Sequence, residues 1–163
     1  MESKFAYEMN AFSPFAEVKG RLDLAANLDS YAGIVDSTQA TPLKPGDPVA
    51  IVATSSGLPH FIKAAEGSLI MGFVKWSAKK QEYAKGEAVE VSYSNDVMYM
   101  EAGAAVQAGS AVNITDLGNV YVGALGTAKG SVIGYAMEQA TAANELIRVR
   151  IAAPVVYTAN ADE

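Results

Sequence analysis

The sequence contains two copies of one pattern of short strands, and this repeat restricts the possible folds more than any other feature. Four blocks of the first half have counterparts, in the same order, about sixty residues later. The matched blocks are GDPVAI at 46–51 with GSAVNI at 109–114, GLPHF at 57–61 with GNVYV at 118–122, IMGFV at 70–74 with VIGYA at 132–136, and EAVEV at 87–91 with ELIRV at 145–149. The chain is therefore predicted to contain a duplicated β unit, with too few copies for a solenoid.

Short apolar runs bounded by turn residues indicate how each unit is built. The turn Pro45-Gly46-Asp47 precedes an apolar run, and similar Gly, Asn and Asp turns recur along the chain. Regularly spaced short strands are typical of a β-sandwich or β-barrel. The only segments compatible with a helix are 138–144 and 78–84. The predicted strands are 49–52, 58–63, 68–76, 88–93, 97–101, 111–115, 120–122, 131–137 and 145–155.

The predicted fold is all-β: a small β-barrel or sandwich built from two similar halves, with an extended N-terminal arm. We assign residues 1–42 to the arm, 43–155 to the duplicated β domain and 156–163 to a C-terminal tail. The matched glycines Gly72 and Gly134 are expected at equivalent places in their strands, where a side chain would clash or a bulge is needed. Four aromatic residues of the arm would be costly to leave in water, so we expect them to contact protein. They are Phe5, Tyr7, Phe12 and Phe15.

Composition excludes several classes of function. The chain has no cysteine, which excludes disulfides, thiol nucleophiles and Cys-based metal sites, and its single histidine excludes a multi-His site within one chain. The net charge of −6 repels phosphate backbones, so we expect no nucleic-acid partner. No stretch approaches the roughly 20 apolar residues that span a bilayer, so we expect no membrane partner.

His60 is the one candidate for nucleophilic or acid–base catalysis near neutral pH. A Ser–His–Asp interpretation would combine it with Asp47 and with Ser55 or Ser56. The segment 53–57 lacks the signature of a strained nucleophile turn with oxyanion donors. We therefore interpret His60 as a residue at a strand edge just after a turn, and we predict no catalytic residues.

Carboxylates, a glycine-rich loop and a basic cluster are three further candidate sites in the sequence. Four carboxylates could form a hard-cation or acid–base site, but their alternation with apolar residues favours a strand with one solvated face. The loop 126–131 has the residues of a phosphate-binding loop but not their order.

Lysines around Trp76 favour contact with an acidic protein surface, or solubility, over nucleic acid. Met98 and Met100 are expected in the core and edge of one strand. No cofactor or metal is predicted. The carboxylates are Glu87, Glu90, Asp96 and Glu101, and the lysines are Lys75, Lys79, Lys80 and Lys85.

A series of motifs gives the chain a resemblance to a known family. The series runs LKPGDPV at 43–49, IMGFV at 70–74 and YAKGEAVEV at 83–91, and continues with VQAGSAV at 106–112, VIGYAM at 132–137 and AANELIRVR at 142–150. In its order and repetition this series resembles the capsid decoration, or structural cement, proteins of tailed bacteriophages. The resemblance covers residues 36–151.

The resemblance implies a non-enzymatic virion protein that is made in the host cytoplasm and then binds the outer surface of the assembled icosahedral capsid. It implies bridging of major capsid subunits. We expect the bridging protein to be a homo-oligomer, with a homotrimer favoured over a homodimer, because a threefold site lets each copy reach a different capsid subunit and adds avidity. Aromatic anchors dominate many protein interfaces. We therefore expect the capsid or subunit contacts at Phe5, Tyr7, Phe12, Phe15 and Trp76.

Two other functions stay open at this point. A carbohydrate- or receptor-binding β module on the virion surface would use exposed aromatics such as Trp76, Tyr93 and Tyr99 in a shallow groove. A small hydrolase would depend on His60.

Overall fold

The computed structural model describes residues 30–55, 57–92, 94–124 and 130–159. Within these residues all regular secondary structure is β, so the all-β prediction is confirmed, and none of them forms a helix that could cross a membrane. The twelve strands are β1 (Ser30–Val35), β2 (Pro48–Ser55), β3 (Leu58–Lys63), β4 (Leu69–Ile70), β5 (Gly72–Phe73), β6 (Ala88–Ser92), β7 (Val97–Ala102), β8 (Ala111–Asp116), β9 (Tyr121–Ala124), β10 (Gly134–Ala136), β11 (Leu146–Ile151) and β12 (Val155–Val156).

The strands form two small barrels with the same topology. Barrel 1 is the sheet β5-β2-β3-β1-β6, and its outer strands are joined by a bridge between Val74 and Val91. Barrel 2 is closed and has the equivalent order β10-β8-β9-β7-β11. In each barrel one strand pair is parallel, β1 with β3 and β7 with β9. The prediction of two similar halves is therefore confirmed.

The equivalence of the barrels extends to single residues. The β2–β3 register shifts just after Ile51, and the β8–β9 register shifts just after Ile114. Gly72 lies opposite Val49, and Gly134 lies opposite Val112. The predicted equivalence of the two glycines is thus confirmed.

A side chain at either glycine would collide with the neighbouring strand. A Cβ on Gly72 would lie 2.3 Å from the Ser92 carbonyl oxygen and 2.7 Å from Val91 Cγ1. A Cβ on Gly134 would lie 2.5 Å from the Arg150 carbonyl oxygen and 2.6 Å from Val149 Cγ1. The absence of a side chain at this place lets the neighbouring strands approach closely in both barrels.

Each barrel fills its interior with a different pair of side chains at equivalent positions. In barrel 1, Phe61 packs over Gly33, where a Cβ would lie 2.4 Å from the ring. In barrel 2 the equivalent positions hold the fully buried Val122 and Met100. Barrel 1 thus has a large residue on β3 and a small one on β1. Barrel 2 has a small residue on β9 and a large one on β7, so both barrels keep their packing density.

The two barrels are joined by an apolar contact and by a short strand pair. The outward side chains Ala50, Ile70 and Phe73 belong to the same buried cluster as the interior of barrel 2, whereas the inward Val49 and Val74 belong to the separate core of barrel 1. Strand β12 pairs with β4, Val155 opposite Ile70 and Val156 opposite Leu69. Strand β12 thus fastens the end of the described chain to barrel 1.

The structure differs from the sequence predictions at several places. The predicted strand 145–155 is divided into β11 and β12, and Val156, which was assigned to the C-terminal tail, belongs to β12. Neither 78–84 nor 138–144 is helical, because each forms turns between bridges and strands. The predicted strand 68–76 is divided into β4 and β5 at Met71. Residues 30–35, which were assigned to the arm, form β1 between β3 and β6.

Candidate interaction surface

The predicted contact residues fall in two groups. Phe5, Tyr7, Phe12 and Phe15 lie outside the described residues. Trp76 is half-buried and follows the Val74 bridge that closes barrel 1. Trp76 is thus placed at the seam of barrel 1, and its proposed contact with a partner stays a prediction.

His60 is paired with a carboxylate that the sequence did not single out. Its Nδ1 lies 3.1 Å from Asp36 Oδ2. Asp36 also accepts hydrogen bonds from the Thr38 hydroxyl and backbone N–H, at 2.6 and 2.8 Å. The Thr38 hydroxyl bond is the main cause that lowers the pKa of Asp36. Asp47 instead lies 3.0 Å from the Lys63 ammonium nitrogen. The structure therefore does not bring Asp47 to His60.

The four candidate carboxylates are not brought to one place. Glu90 lies 3.7 Å from Lys75 Nζ, and Glu87 pairs with Lys80, so two of the lysines near Trp76 are engaged by acidic groups. Strand β6 alternates exposed and buried residues, as predicted for a strand with one solvated face. Asp96 is buried beside barrel 2, contrary to that prediction for this residue. Among the described residues, no group of three or more His, Cys, Asp or Glu side chains could hold a metal ion.

Glu87 and its counterpart in the repeat, Glu145, close equivalent turns in the two barrels. Glu87 accepts a hydrogen bond from the Ala84 N–H, and Glu145 accepts one from the Thr141 N–H. The pKa of Glu87 is lowered chiefly by the Lys80 side chain, and that of Glu145 chiefly by the Thr141 hydroxyl. These contacts fix the turn before β6 and the turn before β11, which is a structural role.

Several other predicted features have structural roles within the fold. Met98 and Met100 are fully buried in barrel 2, which confirms the expected core position. Because β7 pairs with both β11 and β9, neither residue lies at an edge, and that part of the prediction is wrong. Of the loop 126–131, only Gly130 and Ser131 are described, and the Ser131 hydroxyl accepts a hydrogen bond from the Thr158 N–H. A crevice of about 350 Å³ lies between the barrels, but the Lys63 ammonium group in it is bound by Asp47 and by the Gly118 carbonyl.

Of the aromatics named for a carbohydrate-binding groove, the described residues leave only Trp76 partly exposed. Tyr99 is buried, and Tyr93 lies outside the described residues. Tyr99 is on β7 of barrel 2 and Trp76 follows β5 of barrel 1. The prediction of an exposed Tyr99 is therefore wrong.

Three large aliphatic side chains are instead exposed on strands that contact one another. The exposed fractions are 47% for Val52, 47% for Leu69 and 54% for Val156. Leu69 lies directly opposite Val156. Strand β2, which carries Val52, contacts β4. We call these three residues the aliphatic row.

The segments that carry the aliphatic row contain no charged residue. Residues 48–59, 67–74 and 151–161 lack Asp, Glu, Lys and Arg, although the chain as a whole has a net charge of −6. Depletion of charge and exposure of apolar side chains distinguish the centre of a protein interface from ordinary surface. Sequence reasoning missed these residues, and the coincidence of three uncharged segments is the signal that could have found them.

A second exposed apolar pair lies on barrel 2. Tyr135 and Met137 are two residues apart at β10 and are both about half exposed, while Ala136 between them is buried. Alternate residues of a strand share one face. Tyr135 and Met137 therefore project from the outer face of barrel 2, and this pair was not predicted either.

Comparisons with known proteins agree with the fold. A family model described as structural cement protein (E217 gp24/Pam3 gp6) matches residues 18–152. No curated protein matches the sequence. The fold is similar to that in "The crystal structure of head fiber gp8.5 N base in bacteriophage phi29", with a TM-score of 0.50, 16% sequence identity, and coverage of 83% of this chain and 98% of that chain. At that identity the similarity concerns the fold alone.

Proposed function

The chain belongs to the phage structural cement protein family, and from this membership we propose that it binds the outer surface of the assembled capsid and bridges neighbouring major capsid subunits. Membership makes it a structural protein of the virion and indicates a non-enzymatic role. The match over residues 18–152, which includes both barrels up to the end of β11, is the observation that carries the proposal.

The aliphatic row supports a specific place for the capsid contact. Val52, Leu69 and Val156 are uncharged, exposed apolar residues on β2, β4 and β12, and β4 pairs with β12. Burying the exposed half of a Leu or Val side chain contributes about 1 kcal/mol, or about fivefold in Kd. We propose that the aliphatic row docks on an uncharged surface of the major capsid protein.

The arm and the oligomer are further parts of the proposal. Phe5, Tyr7, Phe12 and Phe15 are proposed to contact capsid or a neighbouring subunit, with Trp76 as an additional contact. A homotrimer, or less favourably a homodimer, would present several docking faces at once. Once one face is bound, the others bind at a high effective concentration, so that each contact needs only modest affinity.

The proposal is tested by binding to capsids from a phage that lacks the gene for this chain. Purified protein is added to expanded shells, and bound protein is measured by co-sedimentation. The wild-type chain is expected to saturate at a fixed number of copies per shell. Leu69→Asp and Val156→Asp should each weaken binding tenfold or more, because a charge must then be desolvated in the contact.

Ala105→Asp is the matched control, since it adds the same charge at an exposed loop position of barrel 2. It should bind like the wild-type chain. If the wild-type chain does not bind shells, the capsid proposal is wrong and a receptor-binding role becomes the better explanation. If both row variants bind normally while the wild type binds, the capsid contact lies elsewhere on the molecule.

A further inference from the structure

Barrel 1 carries an insertion that barrel 2 lacks. In each barrel the segment after the matched glycine leads to an isolated bridge, at Tyr83 in barrel 1 and at Ala140 in barrel 2. Ten residues separate Gly72 from Tyr83, whereas five separate Gly134 from Ala140. The repeat therefore identifies five residues of barrel 1 that are not needed to build a barrel.

The insertion lies in a strongly basic segment. Residues 75–85 contain four lysines and one glutamate, in a chain whose net charge is −6. We call this segment the lysine loop. Its lysines bring the net charge of the chain closer to zero, whereas solubility favours a net charge away from zero. Solubility therefore does not explain the lysine loop.

The lysine loop is held in a defined conformation. Its tip is a tight turn in which Ser77 and Lys80 form a bridge, and the Ser77 hydroxyl accepts a hydrogen bond from the Lys79 N–H at 3.2 Å. The Lys80 side chain pairs with Glu87, and its Nζ lies 5.8 Å from the centre of the Tyr83 ring. A surface that is ordered before binding loses little conformational entropy when it binds.

Two lysines of the loop have no acidic partner within the chain. Lys75 and Lys80 are paired with carboxylates of barrel 1. Lys79 and Lys85 are exposed, and neither forms an ion pair within the described part of the chain. The lysine loop thus presents two ammonium groups that fit an acidic surface outside the chain.

A second copy of the chain is not a good source of that acidic surface. Glu138, Glu145 and Asp116 of barrel 2 each bind a side chain of their own barrel. Nucleic acid is disfavoured by the net charge of −6 and by the carboxylates that border the loop. The partner that fits is therefore a different protein with an acidic surface.

We propose that the lysine loop binds an acidic surface of the major capsid protein, with Lys79 and Lys85 as the contact residues. The inference rests on the proposed capsid binding and gives the chemistry of a second contact, in addition to the aliphatic row. Ion pairs at the rim of an interface mainly increase the rate of association and depend on salt.

Two double variants with the same change in net charge test this contact. Lys79→Gln with Lys85→Gln removes two positive charges from the loop, and Ala105→Asp with Gln107→Glu adds two negative charges at exposed positions of barrel 2. Binding to empty expanded shells from a phage that lacks the gene is measured by co-sedimentation at about 50 mM and about 500 mM salt.

At low salt the lysine variant should bind shells about fivefold more weakly than the wild-type chain, because each exposed ion pair contributes about two- to threefold. The barrel 2 variant should bind like the wild-type chain. At high salt the wild-type chain and the lysine variant should bind equally, because salt screens exposed charges. Lys79→Arg with Lys85→Arg keeps both charges and should bind like the wild-type chain. Circular dichroism confirms that each variant is folded.

The possible failures are distinguishable. If the wild-type chain binds shells and the lysine variant binds equally well at low salt, this inference alone is wrong. An equal loss in the barrel 2 variant would also overturn it, because net charge rather than the loop would then be responsible. A wild-type chain that does not bind shells would refute the capsid proposal and this inference with it. Binding of labelled single-stranded DNA that the lysine variant abolishes would assign the loop to nucleic acid instead.

Discussion

Replacing Gly134 by alanine tests whether barrel closure depends on the two equivalent glycines. The new methyl group would lie 2.5 Å from the Arg150 carbonyl oxygen and 2.6 Å from Val149 Cγ1, inside normal contact distance for both. One of these atoms belongs to the backbone of β11, so β10 and β11 must separate to accept the methyl group. Gly72→Ala should have the same effect in barrel 1, because its contacts with Ser92 and Val91 are equivalent.

Two opposing terms set the size of the effect. Forcing a methyl group into a packed site costs about 1–3 kcal/mol. Alanine also reduces the entropy of the unfolded chain, which offsets about 0.4–1 kcal/mol. The net loss in the free energy of unfolding is therefore about 1–2 kcal/mol, which lowers Tm by about 2–8 °C in a chain of this size.

The effect is measured by thermal and urea unfolding, followed by circular dichroism and by the fluorescence of Trp76, the single tryptophan. Because barrel 2 shares its buried cluster with Ala50, Ile70 and Phe73 of barrel 1, Gly134→Ala should also shift the Trp76 transition. Gly118→Ala is the matched control, since its methyl group would meet only the Asp116 side chain, at 3.2 Å. A Gly134→Ala change no more destabilising than Gly118→Ala would refute the closure argument.

Three further outcomes are expected. The Thr141 hydroxyl lowers the pKa of Glu145 in the folded protein, so the stabilisation from Glu145 is present above about pH 4 and is lost as the pH falls through that lowered pKa. Glu145→Gln should therefore flatten the decrease of Tm at acid pH. An unchanged slope of Tm against pH would contradict this. Lys63→Met leaves the buried Asp47 without its ammonium partner and removes the bond to barrel 2, so the free energy of unfolding should fall by about 1–2 kcal/mol in urea titrations, whereas no change would mean that the pair is not structural. Deleting residues 1–15 should reduce co-sedimentation with shells while leaving the circular dichroism spectrum folded, and equal binding would exclude the arm as an anchor.

The repeat made most of the fold predictable, because turn glycines and strands with alternating apolar residues can be recognised directly in the sequence. Strand β1 was missed for a physical reason. Its equivalent, β7, carries Met100 where β1 has Gly33, and the difference is compensated on another strand by Phe61 in place of Val122. Each barrel keeps the summed volume of the two side chains at these positions but not the individual residues. Strands β1 and β7 therefore share no visible motif.

The exposed surfaces were harder to predict than the strands. The aliphatic row exists only because β12 returns to pair with β4, far away in the sequence. Tyr135 and Phe73 occupy matching positions in the sequence repeat. Phe73 is buried because barrel 2 packs on barrel 1, whereas Tyr135 is exposed. The alternation of residues along a strand predicts which face of the sheet a residue lies on. Whether another part of the protein packs on the outer face depends on the tertiary arrangement.

The central claim, that this chain stabilises a capsid by bridging its subunits, is tested most directly by the temperature at which particles release DNA. Particles with the protein, particles from a phage lacking its gene, and the latter with purified protein added back are heated with a DNA-binding dye. A protein that binds only the assembled shell stabilises it by mass action. We expect a lower release temperature without the protein, and recovery when wild-type protein is added back but not when Leu69→Asp is added. Identical release temperatures in all the particles would contradict it.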